Sequence, residues 1–73
     1  MRKGGSYEAL LALETAALLC GGIAKLARKL GVRPQSIQVW LRYGRAPVGR
    51  VVDIERATAG KVTRKQLRPD IFI

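Results

Sequence analysis

The stretch that decides the fold is Ile23 to Arg42, IAKLARKLGVRPQSIQVWLR. Its first part repeats apolar residues every three or four positions up to Leu30, which predicts a short amphipathic helix. Gly31 follows and tolerates the left-handed backbone that ends a helix. Pro34 suits the first turn of a second helix, because its missing N–H would have no intrahelical partner there. A helix, a glycine turn and a second helix together predict a helix-turn-helix over residues 23–42.

A first helix is predicted ahead of this unit. Ser6 is a good N-cap, and leucines and alanines recur at helical spacing until the pair Gly21-Gly22 ends the helix. Residues 1–5 are expected to be mobile. Leu11 and Leu19 widen the apolar surface beyond one stripe. This helix is therefore either covered on two sides by its own domain or contributes to a dimer contact.

Two further helices are predicted after the helix-turn-helix. One runs roughly from Val48 to Ala59 with Gly60 as its stop, and Thr63-x-x-Gln66 is a capping-box pattern for one last helical turn. No segment shows the sustained apolar–polar alternation of a half-buried strand. We therefore expect an all-α fold, a small bundle of four to five helices, spanning residues 1–73 as a single domain.

Composition favours a polyanionic partner. The 73 residues include 14 Lys and Arg against 5 Asp and Glu, for a net charge of +9, and 48% are hydrophobic, enough for a compact core. The charges are spread along the chain, which suits a folded basic surface better than a disordered arm. Nucleic acid is the first expectation and an anionic membrane surface the second.

The reactive residue types are scarce. The chain has one cysteine, Cys20, and no histidine, so an intrachain disulfide is impossible and no zinc ligand set is plausible. We interpret Cys20 as a small buried hydrophobic residue rather than a reactive thiol. With scattered acids and no histidine there is no acid–base pair to name. We expect no metal, no cofactor and no enzymatic activity.

The N-terminal region has some features of a signal peptide. Arg2 and Lys3 precede an apolar stretch from Ala9 to Cys20. Glu14 interrupts that stretch, and Leu19 is too bulky for the position before a lipoprotein cysteine. No run reaches the ~18 apolar residues of a membrane span. We expect a cytoplasmic protein with no membrane partner.

One face of the second helix of the helix-turn-helix is suited to reading DNA bases. With Ile37 and Leu41 directed inward, glutamine, valine and arginine side chains occupy the opposite stripe. Glutamine can bond adenine in a bidentate way, arginine can bond guanine, and valine can contact a thymine methyl. The candidate base-reading residues are Arg33, Gln35, Ser36, Gln38, Val39 and Arg42. The alternative interpretation is an ordinary solvated helix face.

A second set of residues is predicted to contact phosphates, which positions a protein on DNA without reading sequence. This set is Lys25, Lys29, Tyr43, Arg45 and Arg50. Arg28 and Arg56 are interpreted as solvated surface charges. Trp40 is expected to face the core, although a lone tryptophan can also stack on a nucleobase.

A resemblance to a known family is carried by two patterns. They are Gly21-Gly22-x-x-x-Leu26-Ala27-Arg28-x-Leu30-Gly31-Val32 followed by Gln35-Ser36-Ile37-Gln38-x-Trp40, and Gly44-Arg45-Ala46-Pro47 followed by the run from Ile54 to Asp70. They resemble the single-domain Cro-like repressors of phages and prophages, and within them the YdaS-like antitoxin branch, over roughly residues 21 to 72. The resemblance implies a lambda repressor-like helical fold, operator binding and repression, commonly as a dimer on a two-fold site. Two departures are Arg33-Pro34, where many members have a Ser or Thr cap, and Ile23-Ala24, where many have a Gln.

The sequence therefore predicts a sequence-specific repressor of double-stranded DNA, of the Cro type, with a recognition helix at about residues 34–43 in the major groove. A homodimer on a palindromic operator is expected, with helix four, helix five and the tail at Ile71 to Ile73 as the favoured contact. Two alternatives stay open. One is a DNA-binding antitoxin with a toxin protein as partner. The other is a protein-interaction adaptor that does not bind DNA.

Overall fold

The computed structural model describes residues 7–72 and has five helices across them. In chain order these are α1 Tyr7–Leu19, α2 Ile23–Leu30, α3 Pro34–Tyr43, α4 Val48–Ala57 and α5 Arg64–Leu67. No strand occurs within that range. The all-α prediction is confirmed, and so are the bounds of α2 and the start of α3 at Pro34. The predicted cap at Ser6 and the predicted mobility of residues 1–5 lie outside the described residues.

The bends on either side of α3 depend on glycine. Gly31 ends α2 with a φ of 72° and Gly44 ends α3 with a φ of 82°, both in the left-handed region that other residues rarely adopt. The Gly31 amide donates to the Arg28 carbonyl at 3.3 Å, and the Val32 amide donates to the Ala27 carbonyl at 3.0 Å. These bonds satisfy carbonyls at the end of α2 and fix the direction in which α3 begins.

All five helices contribute to one apolar core. The largest fully buried side chains are Leu13, Leu26, Ile37, Val51, Ile54 and Leu67, with at least one from every helix. Trp40 and Leu41 are half-buried and pack against this cluster, so the core-facing prediction for Trp40 is confirmed. Cys20 is also buried, and its Sγ donates to the Ala57 carbonyl at 3.7 Å. Ile37 is fully buried in this core, and α3 packs against α2 and α1, which fixes the orientation of α3.

The predicted end of α4 at Ala59 is wrong. The helix stops at Ala57, and Thr58 begins a turn that its own buried hydroxyl stabilises. That hydroxyl accepts the Val62 amide at 3.1 Å, and Ala59 has a φ of 55°. Because the backbone leaves the helical region at Ala59, Gly60 continues a turn that has already started.

The expectation that α1 is covered on two sides is also wrong. Its buried face is formed by Ala9, Ala12, Leu13, Ala16 and Ala17. Leu18, however, is 79% exposed, and Tyr7, Leu11 and Leu19 are exposed as well. The second interpretation, a contribution to a dimer contact, stays a prediction.

The last helix is capped as predicted. The Thr63 hydroxyl accepts the Gln66 amide at 3.2 Å, while the Gln66 side-chain oxygen accepts the Thr63 amide at 2.9 Å. This reciprocal pair lets a helix of only four residues form.

Between residues 7 and 72, no single helix has the length and apolar character needed to cross a membrane. The pair α1 and α2 meets those criteria of length and composition only when taken together, and the two are bent by 90°.

Candidate nucleic-acid interface

The exposed face of α3 holds most of the predicted base-reading residues. Gln35, Gln38 and Arg42 are exposed, and Val39 is 38% exposed although it is a branched apolar residue. They lie on the side of the helix opposite fully buried Ile37. The stripe predicted from the sequence is therefore one continuous surface on an anchored helix. Its contact with bases stays a prediction.

The other two predicted base-reading residues lie at the start of α3. Arg33 is the exposed N-cap residue, with an extended backbone and no capping hydrogen bond from its side chain. Ser36 is half-buried, and its amide donates to the Arg33 carbonyl at 2.9 Å. Both continue the stripe toward the turn that separates α2 from α3.

Four of the predicted phosphate-contacting residues lie on α2 and at the carboxyl end of α3. Lys25 and Lys29 are exposed on α2, Tyr43 is exposed at the last position of α3, and Arg45 is half-buried in the following turn. Tyr43 and Arg45 lie beside Val39 at the carboxyl end of the stripe, whereas Lys29 lies beside Asp53 and Arg56 of α4, so the structure brings only part of this set to the ends of α3.

Arg50 differs from these four. Its Nη1 donates to the Leu30 carbonyl at 3.4 Å and lies 3.8 Å from an Asp53 carboxylate oxygen. Leu30 is the last residue of α2, so Arg50 supplies a positive charge to the end of that helix. It therefore has a structural contact that the sequence did not indicate.

The charge of the chain is concentrated in the helix-turn-helix and the turns beside it. Residues 21–47 contain no acid, and their bases are Lys25, Arg28, Lys29, Arg33, Arg42 and Arg45. Three acids outside this segment, Asp53, Glu55 and Asp70, each form an ion pair with a base outside it, as in the 2.8 Å contact between Arg64 and Glu55. The surface around α3 is therefore more uniformly positive than the chain average, which favours a polyanion.

Arg68 is a buried residue that sequence reasoning missed. It is 8% exposed, and its Nη1 donates to the Ala46 carbonyl at 3.1 Å. Its Nε and Nη2 donate to the two carboxylate oxygens of Asp70 at 2.9 and 2.8 Å. These hydrogen bonds lower the pKa of Asp70, and the charge of Arg45 lowers it further. The only local signal was an arginine two residues before an aspartate, which says nothing about burial or about Ala46.

A cleft of about 400 Å³ opens at the carboxyl end of α3. It is lined by Val39, Trp40, Tyr43, Arg45, Ala46, Pro47 and Arg68. Through Val39 it is continuous with the base-reading stripe. Across residues 7–72, no three His, Cys, Asp or Glu side chains are grouped so that they could hold a metal ion.

Comparison with known proteins identifies relatives of the chain. The family model described as "Bacterial toxin YdaS" matches residues 13–73. A YdaS protein of Escherichia coli (strain K12), named as a proposed transcriptional regulator, is 46% identical over 57 residues, which are 77% of this chain. The matched part is 58% of that relative's length.

A solved structure gives the same fold. It is the Cro protein from the proposed prophage element Xfaso 1 in Xylella fastidiosa strain Ann-1, with a TM-score of 0.83 and 44% identity. The match covers 85% of this chain and 95% of the Cro chain. The family description speaks of a toxin and the relative's name of a regulator, so the names alone assign no activity. On the extent of these matches, the chain belongs to the YdaS family and has a Cro-like helix-turn-helix fold.

Proposed function

We propose that the chain is a sequence-specific, double-stranded DNA-binding transcriptional repressor of the Cro type. The observation that carries this proposal is the exposed stripe of Gln35, Gln38, Val39 and Arg42 on a helix held by buried Ile37. The stripe lies within a segment that has six bases and no acid. Hydrogen-bonding side chains for base edges and a positive surround for phosphates are the two requirements of specific binding.

In this proposal α3 lies in the major groove and residues 1–73 act as one domain. Arg33, Gln35, Ser36, Gln38, Val39 and Arg42 face bases, whereas Lys25, Lys29, Tyr43, Arg45 and Arg50 face the backbone. The base-facing set supplies selectivity and the backbone-facing set supplies affinity that depends on salt. Arg50 is the weakest member of the second set, because Leu30 and Asp53 already engage its guanidinium.

The repressor acts as a homodimer on a palindromic operator. A helix of 10 residues is about 15 Å long and reads only a few base pairs, so two copies are the usual route to specificity. Two surfaces are candidates for the contact. In the tail, Ile71 is exposed, but Phe72 packs against the core of its own chain. The Cζ atom of Arg64 lies 5.9 Å from the centroid of the Phe72 ring. The exposed leucines of α1 form the other candidate.

A second candidate function has its own support. The exposed Tyr7, Leu11, Leu18 and Leu19 favour contact with a protein, as an antitoxin would need. A toxin would then bind α1 while α3 still binds DNA.

The proposal is tested by selecting bound sites from a random duplex pool at physiological salt. The wild-type chain is compared with a triple variant, Gln35→Ala, Gln38→Ala and Arg42→Ala, and with Arg56→Ala, which removes one exposed charge from α4. We expect wild type and Arg56→Ala to enrich the same palindrome by roughly 10³ over random sites, and the triple variant to lose it.

Two outcomes contradict the proposal. Weak, salt-sensitive binding without enrichment by all three proteins would leave only an electrostatic affinity and favour the adaptor interpretation. Enrichment that survives the triple substitution would remove Gln35, Gln38 and Arg42 as the readers.

A further inference from the structure

Among the described residues, Arg68 is the one charged side chain that is buried. Burying a charge is unfavourable unless the group is paired and hydrogen-bonded. The partners of Arg68 therefore indicate its structural role. Asp70 takes two of its donors in a bidentate fork, the strongest common geometry for this pair. The third contact goes to the backbone, at Ala46.

Ala46 belongs to the short turn between α3 and α4. It is fully buried, and the turn runs from Gly44 to Pro47. The hydrogen bond from Arg68 reaches it from 22 residues farther along the chain. Tyr43 precedes the turn directly and Arg45 lies within it, and both line the cleft that Arg68 also lines. The hydrogen bond thus joins the C-terminal segment to the turn beside Tyr43 and Arg45, which are predicted to contact the DNA backbone.

We propose that Arg68 is a positioning residue for DNA binding. In this role it makes no contact with DNA: its side chain is buried, and three of its N–H donors are directed to Asp70 and Ala46. It holds the turn so that Tyr43 and Arg45 are placed for the DNA backbone beside α3. This inference rests on the proposed function. It adds that a residue near the C-terminal end of the chain determines how tightly the protein binds the DNA backbone.

Arg64 provides a matched control. It is also an arginine near the C-terminal end, and its Nε pairs with Glu55 at 2.8 Å. Its ion pair joins α5 to α4 and has no contact with the turn at Ala46. Arg64→Met and Arg68→Met therefore remove the same charge and one ion pair each. Arg64→Met also removes the contact with the Phe72 ring, but only Arg68→Met removes the hydrogen bond to the turn.

The experiment measures affinity for the selected operator and for a random duplex, over a series of salt concentrations and well below each variant's Tm. For Arg68→Met we expect both affinities to fall roughly tenfold. The salt slope, which is the slope of log affinity against log salt concentration, should decrease in magnitude by about one more than it does in Arg64→Met, as for a lost phosphate contact. The ratio of the two affinities should stay within about threefold, because the base-reading stripe is unchanged. Arg68→Lys should not restore affinity, since an ammonium group cannot make the fork.

Amide hydrogen exchange of the DNA-free protein gives a second readout. Exchange should increase at the hydrogen-bonded amides in and beside the turn, those of Gly44, Arg45 and Arg50, in Arg68→Met and not in Arg64→Met. Equal losses of affinity in both variants would overturn the proposal, because a general effect of charge or stability would explain them. Unchanged exchange in the turn would overturn it as well. If wild type selects no site, the proposed function fails and so does the role in DNA binding, while increased exchange would still identify Arg68 as the residue that holds the turn.

Discussion

At the scale of single residues, Gln38 and Lys29 should have different effects on binding. Gln38 lies on the base-reading stripe of α3, whereas Lys29 is an exposed charge on α2. We expect Gln38→Ala to reduce the preference for the operator over a random duplex by about 1–3 kcal/mol with an unchanged salt slope. Lys29→Ala should weaken binding to both duplexes alike and should reduce the magnitude of the salt slope by about one. Titrations of labelled duplexes at several salt concentrations measure both, and equal losses on both duplexes for Gln38→Ala would remove it from the reading surface.

Two carboxylates make the stability of the fold sensitive to acid. Hydrogen bonds from Arg68 lower the pKa of Asp70 from its ordinary 3.8, and those from Arg64 lower the pKa of Glu55 from 4.5. Both carboxyls therefore bind protons more weakly in the folded chain. Their contribution is fully present above the unfolded pKa and is lost as the pH falls through the lower folded pKa.

We accordingly expect the Tm to decline below about pH 4, and to decline less steeply in Asp70→Asn, which has no carboxyl to protonate. Thermal unfolding followed by circular dichroism from pH 7 to pH 2 measures this. Identical declines in the variant and in wild type would show that protonation of Asp70 does not contribute to the acid sensitivity of the fold.

At the scale of helices and turns, the same substitution should have opposite effects at two glycines. Gly31 has a φ of 72°, and a Cβ there would meet no atom within 4 Å, so the strain of Gly31→Ala comes from the backbone alone. We expect it to reduce the free energy of unfolding by about 1 kcal/mol. Gly49 lies in α4, also with open space around a Cβ, so Gly49→Ala should raise that free energy by about 0.5 kcal/mol. Urea unfolding measures both, and a neutral Gly31→Ala would mean that the turn relaxes.

How much of each element could be predicted depended on how local its cause is. The bounds of α2 and the cap of α5 follow from Gly31 and from the Thr63–Gln66 pair, whose effects act within a few residues. The end of α4 depends on a hydroxyl that reaches Val62, and the burial of Arg68 depends on a carbonyl 22 residues away. Periodicity carries no information about such contacts.

At the scale of the whole molecule, like charge restricts how two copies can meet. Each chain carries +9, so association is least unfavourable where bases are absent. Helix α1 has Glu8 and Glu14 and no base, and it exposes Leu18 at 79%. It is the described helix that combines apolar exposure with negative charge. The exposed leucines and the lack of bases favour α1 as the surface between two copies, over the contact through α4, α5 and the tail that the sequence alone favours.

The test compares a double variant of α1, Leu11→Gln and Leu18→Gln, with Ile71→Gln in the tail. Burying a leucine contributes about 1.5 kcal/mol or more, so the α1 variant should weaken self-association at least tenfold while leaving affinity for a single half-site unchanged. Sedimentation equilibrium and half-site titrations measure the two quantities. Weaker association in Ile71→Gln alone would assign the contact to the tail. If wild type stays monomeric at high concentration and binds a palindrome one to one, neither surface joins two copies, and the leucines of α1 are then available to a different protein.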